Sequence, residues 1–393
     1  MVFGPKYFTP EALDNLRYYK YSAEDRSILV WLFFKRFWDT IVNFVPIWVA
    51  PNLITATGFS LILLNFLTLC VFDWRLGNPD VPSWVFLSWA IGIFTYQVLD
   101  NIDGKQARKT GSSSPLGEIF DHGCDSLFAT LSIITLNCSL SLSGWEAWFF
   151  NLSVMITFCF SHWEEWHTGK LILTEYGNPT EAQLFMVLGH SITYVSGKEW
   201  WFQDICVFMN NWCPIMDWGW MPMAMRIRVS TWSAGCLWVL AAVAITDNTR
   251  VVLKNVRETN KNLTESLLIV TPLLSHILFT GLWYYISPAD IIHNYPIPAI
   301  CITGLMCSYT LDFMLMNRIT MSKFELTKPF FVLPIVGFLI AAITRDATYD
   351  FYGLCLVSTL LVLAYAHMIV GVIQELCDHL NIYCFKIPYP KKN

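Results

Sequence analysis

Charge is scarce in this sequence. Asp, Glu, Lys and Arg make up 14% of the 393 residues, against 55% hydrophobic and 16% aromatic. Soluble globular domains carry roughly 25% charged residues, so a water-soluble fold is excluded. No acidic or basic tail is present and the net charge is only −5, which removes nucleic acid as a partner. Metal-type cysteine spacing is missing too. Twelve cysteines occur, but most sit in apolar runs (Cys70, Cys138, Cys159, Cys236, Cys301, Cys307) and none forms a CxxC or Cys/His pattern. They read as small buried hydrophobes, not as disulfides or zinc ligands. The first fifty residues have no short apolar core of a cleaved signal peptide, so targeting falls to the first spanning helix. No internal repeat is visible.

What is present is apolar sequence in long runs. A helix crossing a membrane needs about 20 mostly apolar residues. Segments 53–72, 81–99, 126–143, 147–161, 183–197, 229–245, 266–286, 295–311, 329–344 and 351–373 approach that requirement. The expected fold class is all-α: a polytopic integral membrane protein with about ten transmembrane helices. Several segments are short, so their helices must run into flanking polar residues. With ten crossings and both termini on one side, 20 of the 25 Lys and Arg fall on that side and 5 on the other. The positive-inside rule makes the richer side cytoplasmic. Ahead of the first span, "RSILVWLFFKRFWDTIVNFVPIW" mixes apolar and basic residues at helical spacing. It reads as an amphipathic helix at the membrane interface or, equally, as one packed on the bundle. Residues 200–225, rich in Trp and Met, read as a second interfacial or lumenal hairpin.

One stretch breaks the apolar pattern. "DNIDGKQARKTGSSSPLGEIFDHGCD", residues 100–125, carries four aspartates, three cations and a histidine between two apolar segments. Charges at helix ends are ordinarily solvated anchors, but this pattern is not random. Asp100 and Asp103 are i,i+3 at the end of the second span, and Asp121 and Asp125 are i,i+4 at the start of the third. Each pair shares a helical face. A short loop containing Gly104, Gly111, Ser112–Ser114, Pro115 and Gly117 makes the two helices antiparallel neighbours, so four carboxylates converge. Such a cluster is repulsive unless cations compensate it, and oxygen-only ligands favour Mg2+, Mn2+ or Ca2+ over zinc. Two ions about 4 Å apart form a clamp suited to in-line phosphoryl transfer. Arg108 can bind phosphate bidentately, and His122 is a candidate base.

Asp100-x-x-Asp103-Gly104-x-x-Ala107-Arg108, eight residues, then Gly117-x-x-x-Asp121-x-x-x-Asp125 resembles the signature of the CDP-alcohol phosphotransferases at every defined position. The pieces "YKYSAEDRS", "WVAPNLIT", "GKQARKTGSSSPLGE", "DHGCDS", "SHWEEWHTGKL" and "NIYCFKI" resemble the eukaryotic aminoalcohol branch, the choline- and ethanolaminephosphotransferases. Lys109 stands where that branch often has arginine. The resemblance implies that diacylglycerol attacks the phosphate carrying the amino alcohol in CDP-choline or CDP-ethanolamine. CMP leaves and phosphatidylcholine or phosphatidylethanolamine forms. It implies two Mg2+ ions, with Mn2+ able to substitute, held by Asp100, Asp103, Asp121 and Asp125. Arg108 would bind the diphosphate, Gly104 would let the nucleotide approach the backbone, and Asn52 would join the CDP-alcohol contacts. His122 suits proton removal at neutral pH, with Asp125 the alternative base.

The implied organisation is a cytoplasmic or interfacial segment at 1–48, a catalytic core at 49–200, additional transmembrane helices at 201–380 and a cytoplasmic tail at 381–393. The same resemblance implies an endoplasmic reticulum or Golgi membrane, a site facing the cytosol, and a homodimer. "SHWEEWHTGK" offers Trp163, Glu164, Glu165 and Trp166 as an ammonium site or as a plain interfacial belt. Two rivals differ in what they require. Phosphatidylinositol synthesis uses CDP-diacylglycerol and a polar acceptor, in shorter chains. A membrane transporter would place ionisable residues at the bilayer midplane, with broken helices in matching halves. Here the charge gathers at one leaflet edge.

Overall fold

The computed structural model describes residues 6–173, 178–212, 227–324 and 329–387. Ten helices carry the expected apolar segments. They are α1 (Pro51–Asp73), α2 (Ser83–Thr110), α3 (Pro115–Leu140), α4 (Gly144–Thr168) and α5 (Pro179–Ser196). The second half adds α6 (Val229–Glu258), α7 (Thr271–Ile286), α8 (Pro296–Ile319), α9 (Leu333–Thr344) and α10 (Ala347–Leu380). Six of them, α1, α2, α3, α6, α8 and α10, are long and apolar enough to cross a membrane. The sheet content among the described residues is one short parallel pair, β1 (Ala23–Asp25) with β2 (Leu171–Leu173).

The helices overrun the apolar segments, and this corrects the expected loop. α2 continues past Leu99 to Thr110 and stops only where Gly111 adopts φ +64°, with its N–H returning to the Ala107 and Arg108 carbonyls. α3 begins at Pro115, whose missing N–H costs nothing at a first turn, and Ser114 caps it by accepting from Gly117 N at 3.2 Å. Gly104 and Gly117 therefore lie inside helices, and the connection is only residues 111–114. The whole charged motif is displayed on rigid helical backbone.

α3 and α8 form the centre of the bundle: 83% and 89% of their apolar stretches are buried in the protein, against 17% for α6. They approach closely because small residues meet. A Cβ added to Gly304 would lie 2.2 Å from Thr130 Cγ2. Around them, Trp148 Nε1 donates to Thr303 Oγ1 at 2.9 Å and Asn151 Nδ2 to the Thr130 carbonyl at 3.2 Å. In a membrane no hydrophobic drive separates helix from lipid, so close packing and such bonds hold the bundle. Away from the motif, Lys198 pairs with Asp73 at 3.2 Å and donates to the Asn78 carbonyl at 2.8 Å, locking the α1–α2 connection. The polar residues His276 and His367 are engaged by Pro272 O and Tyr7 respectively.

Helix Lys35–Phe44, preceded by a π-type turn at Val30–Phe34, has two faces. Trp38 and Val42 are buried, and Asp39 pairs with Lys105 of α2 at 2.6 Å. Trp31, Leu32, Phe33, Phe37, Phe44, Ile47 and Trp48 remain exposed. One side is thus packed on the bundle, and the open side combines these apolar side chains with Lys35, Arg36, Thr40 and Asn43. Of the 200–225 segment, a 3-10 turn (Lys198–Phe202) and helix Ile205–Trp212 are seen. Residues 213–225, like 388–393 of the tail, lie outside the described residues.

The α3–α8 approach makes a stability prediction. Gly304→Leu should lower stability by roughly 1–3 kcal/mol through overpacking. Gly235→Leu, where an added Cβ meets nothing within 4 Å, should not. Thermal unfolding in detergent measures both; equal melting temperatures would contradict the close approach.

Candidate active site

The two halves of the motif face one another from adjacent helices. One carboxylate oxygen from each of Asp100, Asp103 and Asp121 lies within 4.8 Å of the others. Asp125, one turn further along α3, is not one of these three. Asp103 accepts a hydrogen bond from the Thr55 hydroxyl of α1. Asp125 Oδ1 accepts from Tyr96 OH at 2.7 Å, and the Tyr96 ring is stacked on Phe128 with centroids 4.3 Å apart.

Donors run out at that point. Asp100 Oδ1 and Asp121 Oδ1 are enclosed and have no hydrogen-bond partner among the described residues. Buried carboxylate oxygens left unpaired are costly, and a cluster of them is a hard-oxygen donor set for a divalent cation. The residues present fit such an ion.

Of the motif's three cations, two are spent on structure. Lys105 pairs with Asp39, and Lys109 Nζ donates to the Val42 and Val45 carbonyls, each at 2.9 Å. Arg108, on the last turn of α2, is exposed and makes no hydrogen bond or ion pair among the described residues. A Cβ built on Gly104 would lie 3.5 Å from Arg108 Nη1, so the guanidinium lies over the glycine beside the carboxylates. Asn52 sits one turn before Thr55 on α1. Its Nδ2 is 3.6 Å from Cys384 Sγ, and its Oδ1 would be 3.8 Å from a Cβ on Gly117. It therefore touches the first turn of α3 and the chain's C-terminal segment, while Thr55 reaches the carboxylates.

His122 is buried, with Nδ1 enclosed and unpartnered among the described residues. Its ring meets His162 of α4 edge to face, centroids 5.0 Å apart at 78°. His162 Nδ1 is 2.9 Å from Glu165 Oε2, and Glu165 Oε1 is 3.2 Å from Arg318 of α8. Arg318 also binds Glu118, which accepts in turn from Tyr19 OH. Burial, reinforced by Glu118, raises the Tyr19 phenol far above its ordinary value, so it remains a donor. The N-terminal segment thus lies against the acidic site.

Local sequence does not mark Thr55, Tyr96, Glu118, Glu165 and Arg318 as site residues, apart from Glu165 as half of a possible ammonium site. Tyr96 does carry a signal, being i,i+4 with Asp100 on one face of α2; Arg318, two hundred residues from Glu118, carries none. The ammonium box of Trp163 to Trp166 is not assembled. Trp163 Nε1 donates to the Ser266 carbonyl at 3.0 Å with its ring in the core, and Glu165 is held by His162 and Arg318.

Residues 48–212 match the CDP-alcohol phosphatidyltransferase family, a span that contains every motif carboxylate and His122. Over 396 residues the chain is 32% identical to choline/ethanolaminephosphotransferase 2 of Arabidopsis thaliana, covering 97% of this chain and 98% of that one. The chain belongs to this family. It is also 30% identical to ethanolaminephosphotransferase 1 of Homo sapiens, covering 99% and 97% of the two chains. With cholinephosphotransferase 1 of Saccharomyces cerevisiae the identity is 28%, over 98% and 99%. Family membership accounts for the acidic cluster, since the family is metal-dependent.

The donors from Thr55 and Tyr96 give a test. Thr55→Val and Tyr96→Phe each remove a hydroxyl while keeping most of the side chain's shape. Loss of such a supporting bond typically costs about 10–100-fold in metal affinity or activity. Titrating activity against Mg2+ should show the half-saturating concentration rising by that factor. An unchanged curve for both variants would remove these hydroxyls from the metal-binding function.

Proposed function

We propose that this chain transfers phosphocholine and/or phosphoethanolamine from CDP-choline or CDP-ethanolamine to diacylglycerol, releasing CMP and forming phosphatidylcholine or phosphatidylethanolamine. The observation that carries the reading is the set of converging carboxylates with unpartnered buried oxygens, Asp100 and Asp121 foremost, at the family's motif spacing. Asp100, Asp103, Asp121 and Asp125 would hold two Mg2+ ions, with Mn2+ able to substitute. When bound, such ions neutralise the diphosphate and the charge that develops on the transferring phosphoryl group.

The chain's own groups do the remaining work. Arg108, with no hydrogen-bond or ion-pair partner among the described residues, binds the diphosphate through its planar fork. Gly104 keeps the surface beneath Arg108 low enough for the nucleotide, and Asn52 supports it from α1. The diacylglycerol hydroxyl oxygen bonds to the phosphorus bearing the amino alcohol as the bond from that phosphorus to the CMP oxygen breaks. His122 takes the hydroxyl proton. Its Nδ1 is enclosed in protein, so Nε2 is the nitrogen that faces the acceptor. Holding acceptor and donor side by side removes much of the entropic part of the barrier.

In this reading all ten helices cross an endoplasmic reticulum or Golgi membrane, and the motif end faces the cytosol. The exposed apolar side chains of helix Lys35–Phe44 rest on the cytosolic leaflet. Residues 49–200 supply the chemistry, and 201–380 complete the walls through which diacylglycerol enters from the bilayer.

Purified protein given diacylglycerol, Mg2+ and either CDP-choline or CDP-ethanolamine should release CMP, and excess EDTA should abolish the release. Asp→Ala at 100, 103, 121 or 125 should do the same while the protein stays folded. Full activity in EDTA, or no CMP from either donor, sinks the proposal. His122→Ala should lower kcat by about 10²–10⁴-fold, the usual cost of losing a positioned base, with little change in CDP-alcohol affinity. Near-normal turnover by His122→Gln would transfer the base role to Asp125. For topology, a cysteine at Ser113 should react with an impermeant thiol reagent only from the cytosolic side of sealed microsomes, in a background lacking other accessible cysteines. Labelling from the lumen would invert the orientation.

A further inference from the structure

Behind His122 lies a row of buried charges that the mechanism above does not use. Glu118, Arg318, Glu165 and His162 come from three helices, α3, α8 and α4, and Tyr19 closes the row from the N-terminal segment. Their enclosure is nearly complete: the side chains of Glu118, Glu165, His162 and Arg318 are 2%, 3%, 1% and 13% exposed. Stability alone is a poor reason for such a row. Taking several charges out of water costs more than their attraction reliably returns, and well-packed apolar residues often serve as well or better.

The orientation of His122 supplies a better reason. A histidine that moves protons is ordinarily held by a hydrogen bond at the nitrogen away from substrate. Among the described residues His122 lacks that bond, because its Nδ1 is enclosed and meets no partner there. Ring packing must orient it instead, and the packed ring is His162, 5.0 Å away edge to face. A ring can act as a wall only if it cannot turn, and His162 is fixed by Glu165 at 2.9 Å. Glu165 is fixed in turn by Arg318 at 3.2 Å, and Arg318 by Glu118. Each member has its torsion set by the next.

We propose that Glu165, clamped between Arg318 and His162, is a positioning residue: through the His162 ring it holds His122 in the one orientation that presents Nε2 to the acceptor hydroxyl. Glu165 touches neither substrate nor the metal-binding carboxylates in this scheme, and acts only through the two histidines. The inference rests on the reading of His122 as the base.

The test is a double-mutant cycle on Glu165 and His122, run after two controls. Wild-type turnover and its loss in His122→Gln must both be seen; if either fails, the functional reading fails first and by itself. Given both, Glu165→Gln should lower kcat about 10–100-fold, as loss of an outer partner commonly does. KM for the CDP-alcohol and the Mg2+ half-saturation should move less than about twofold, with turnover normalised to the folded fraction seen by size-exclusion chromatography, because unfolding alone would also lower apparent kcat at constant KM. Arg318→Lys, which keeps the charge, should retain most of the turnover that Arg318→Met loses. The double variant Glu165→Gln/His122→Gln should be no slower than His122→Gln alone, because a residue acting through His122 has nothing left to position. Fully additive losses, or an unchanged kcat for Glu165→Gln, overturn the proposal. If Glu165→Gln does not fold, His162→Asn takes its place in the cycle: non-additive losses support the proposal and additive ones overturn it.

Discussion

Mutual repulsion among Asp100, Asp103, Asp121 and Asp125 is the constraint around which this structure is organised. All four lie inside their helices, roughly two to three turns from the nearer end, beyond the single-turn reach of the helix dipole, so the backbone ends do not offset the repulsion. Thr55 and Tyr96 each give one hydroxyl hydrogen to the cluster. These donors satisfy Asp103 and Asp125 and leave Asp100 and Asp121 each with an enclosed oxygen unpaired. These unpaired oxygens are ones that a divalent cation could bind. They mark the site more sharply than the acidic residues do.

The same arrangement explains what can be read from sequence. The i,i+3 and i,i+4 spacings put each aspartate pair on one helical face whatever the tertiary fold, so the cluster is legible. Its supports are not. Thr55, Glu165 and Arg318 reach the site because α1, α4 and α8 pack there, and nothing in their local sequence encodes that. The misplaced loop has a different cause. Hydropathy reports where lipid ends, at Leu99, while the backbone ladder continues until Gly111 takes a conformation that suits glycine. A helix that outlasts its apolar stretch is what lifts charged chemistry clear of the hydrocarbon while keeping it rigid.

Apolarity also undercounts helices that face protein. α4 has 25 residues yet is not among the six segments apolar enough to cross unaided. The residues that lower its apolarity include His162, Glu164 and Glu165, and two of them, His162 and Glu165, wall the site. Interior polar groups in this bundle find partners across helices, as Asp312 does with Tyr365 OH at 2.7 Å and His190 with Ser139 at 2.7 Å. Such pairs replace the water that a bilayer cannot provide.

The matched family region ends at residue 212, yet the site does not. α8 is the most enclosed of the six apolar helices, and its Arg318 stands between Glu118 of α3 and Glu165 of α4. Without α8, two buried carboxylates of α3 and α4 would lose the cation they share, and removing one partner from such a set typically costs about 3–5 kcal/mol. The C-terminal segment does the same on another side: Cys384 meets Asn52, and Phe385 packs edge to face on Phe120 with centroids 5.6 Å apart. A boundary drawn near residue 200 therefore cuts through the contacts that hold the acidic helices, because α8 and the C-terminal segment brace from behind the helices that carry the acids.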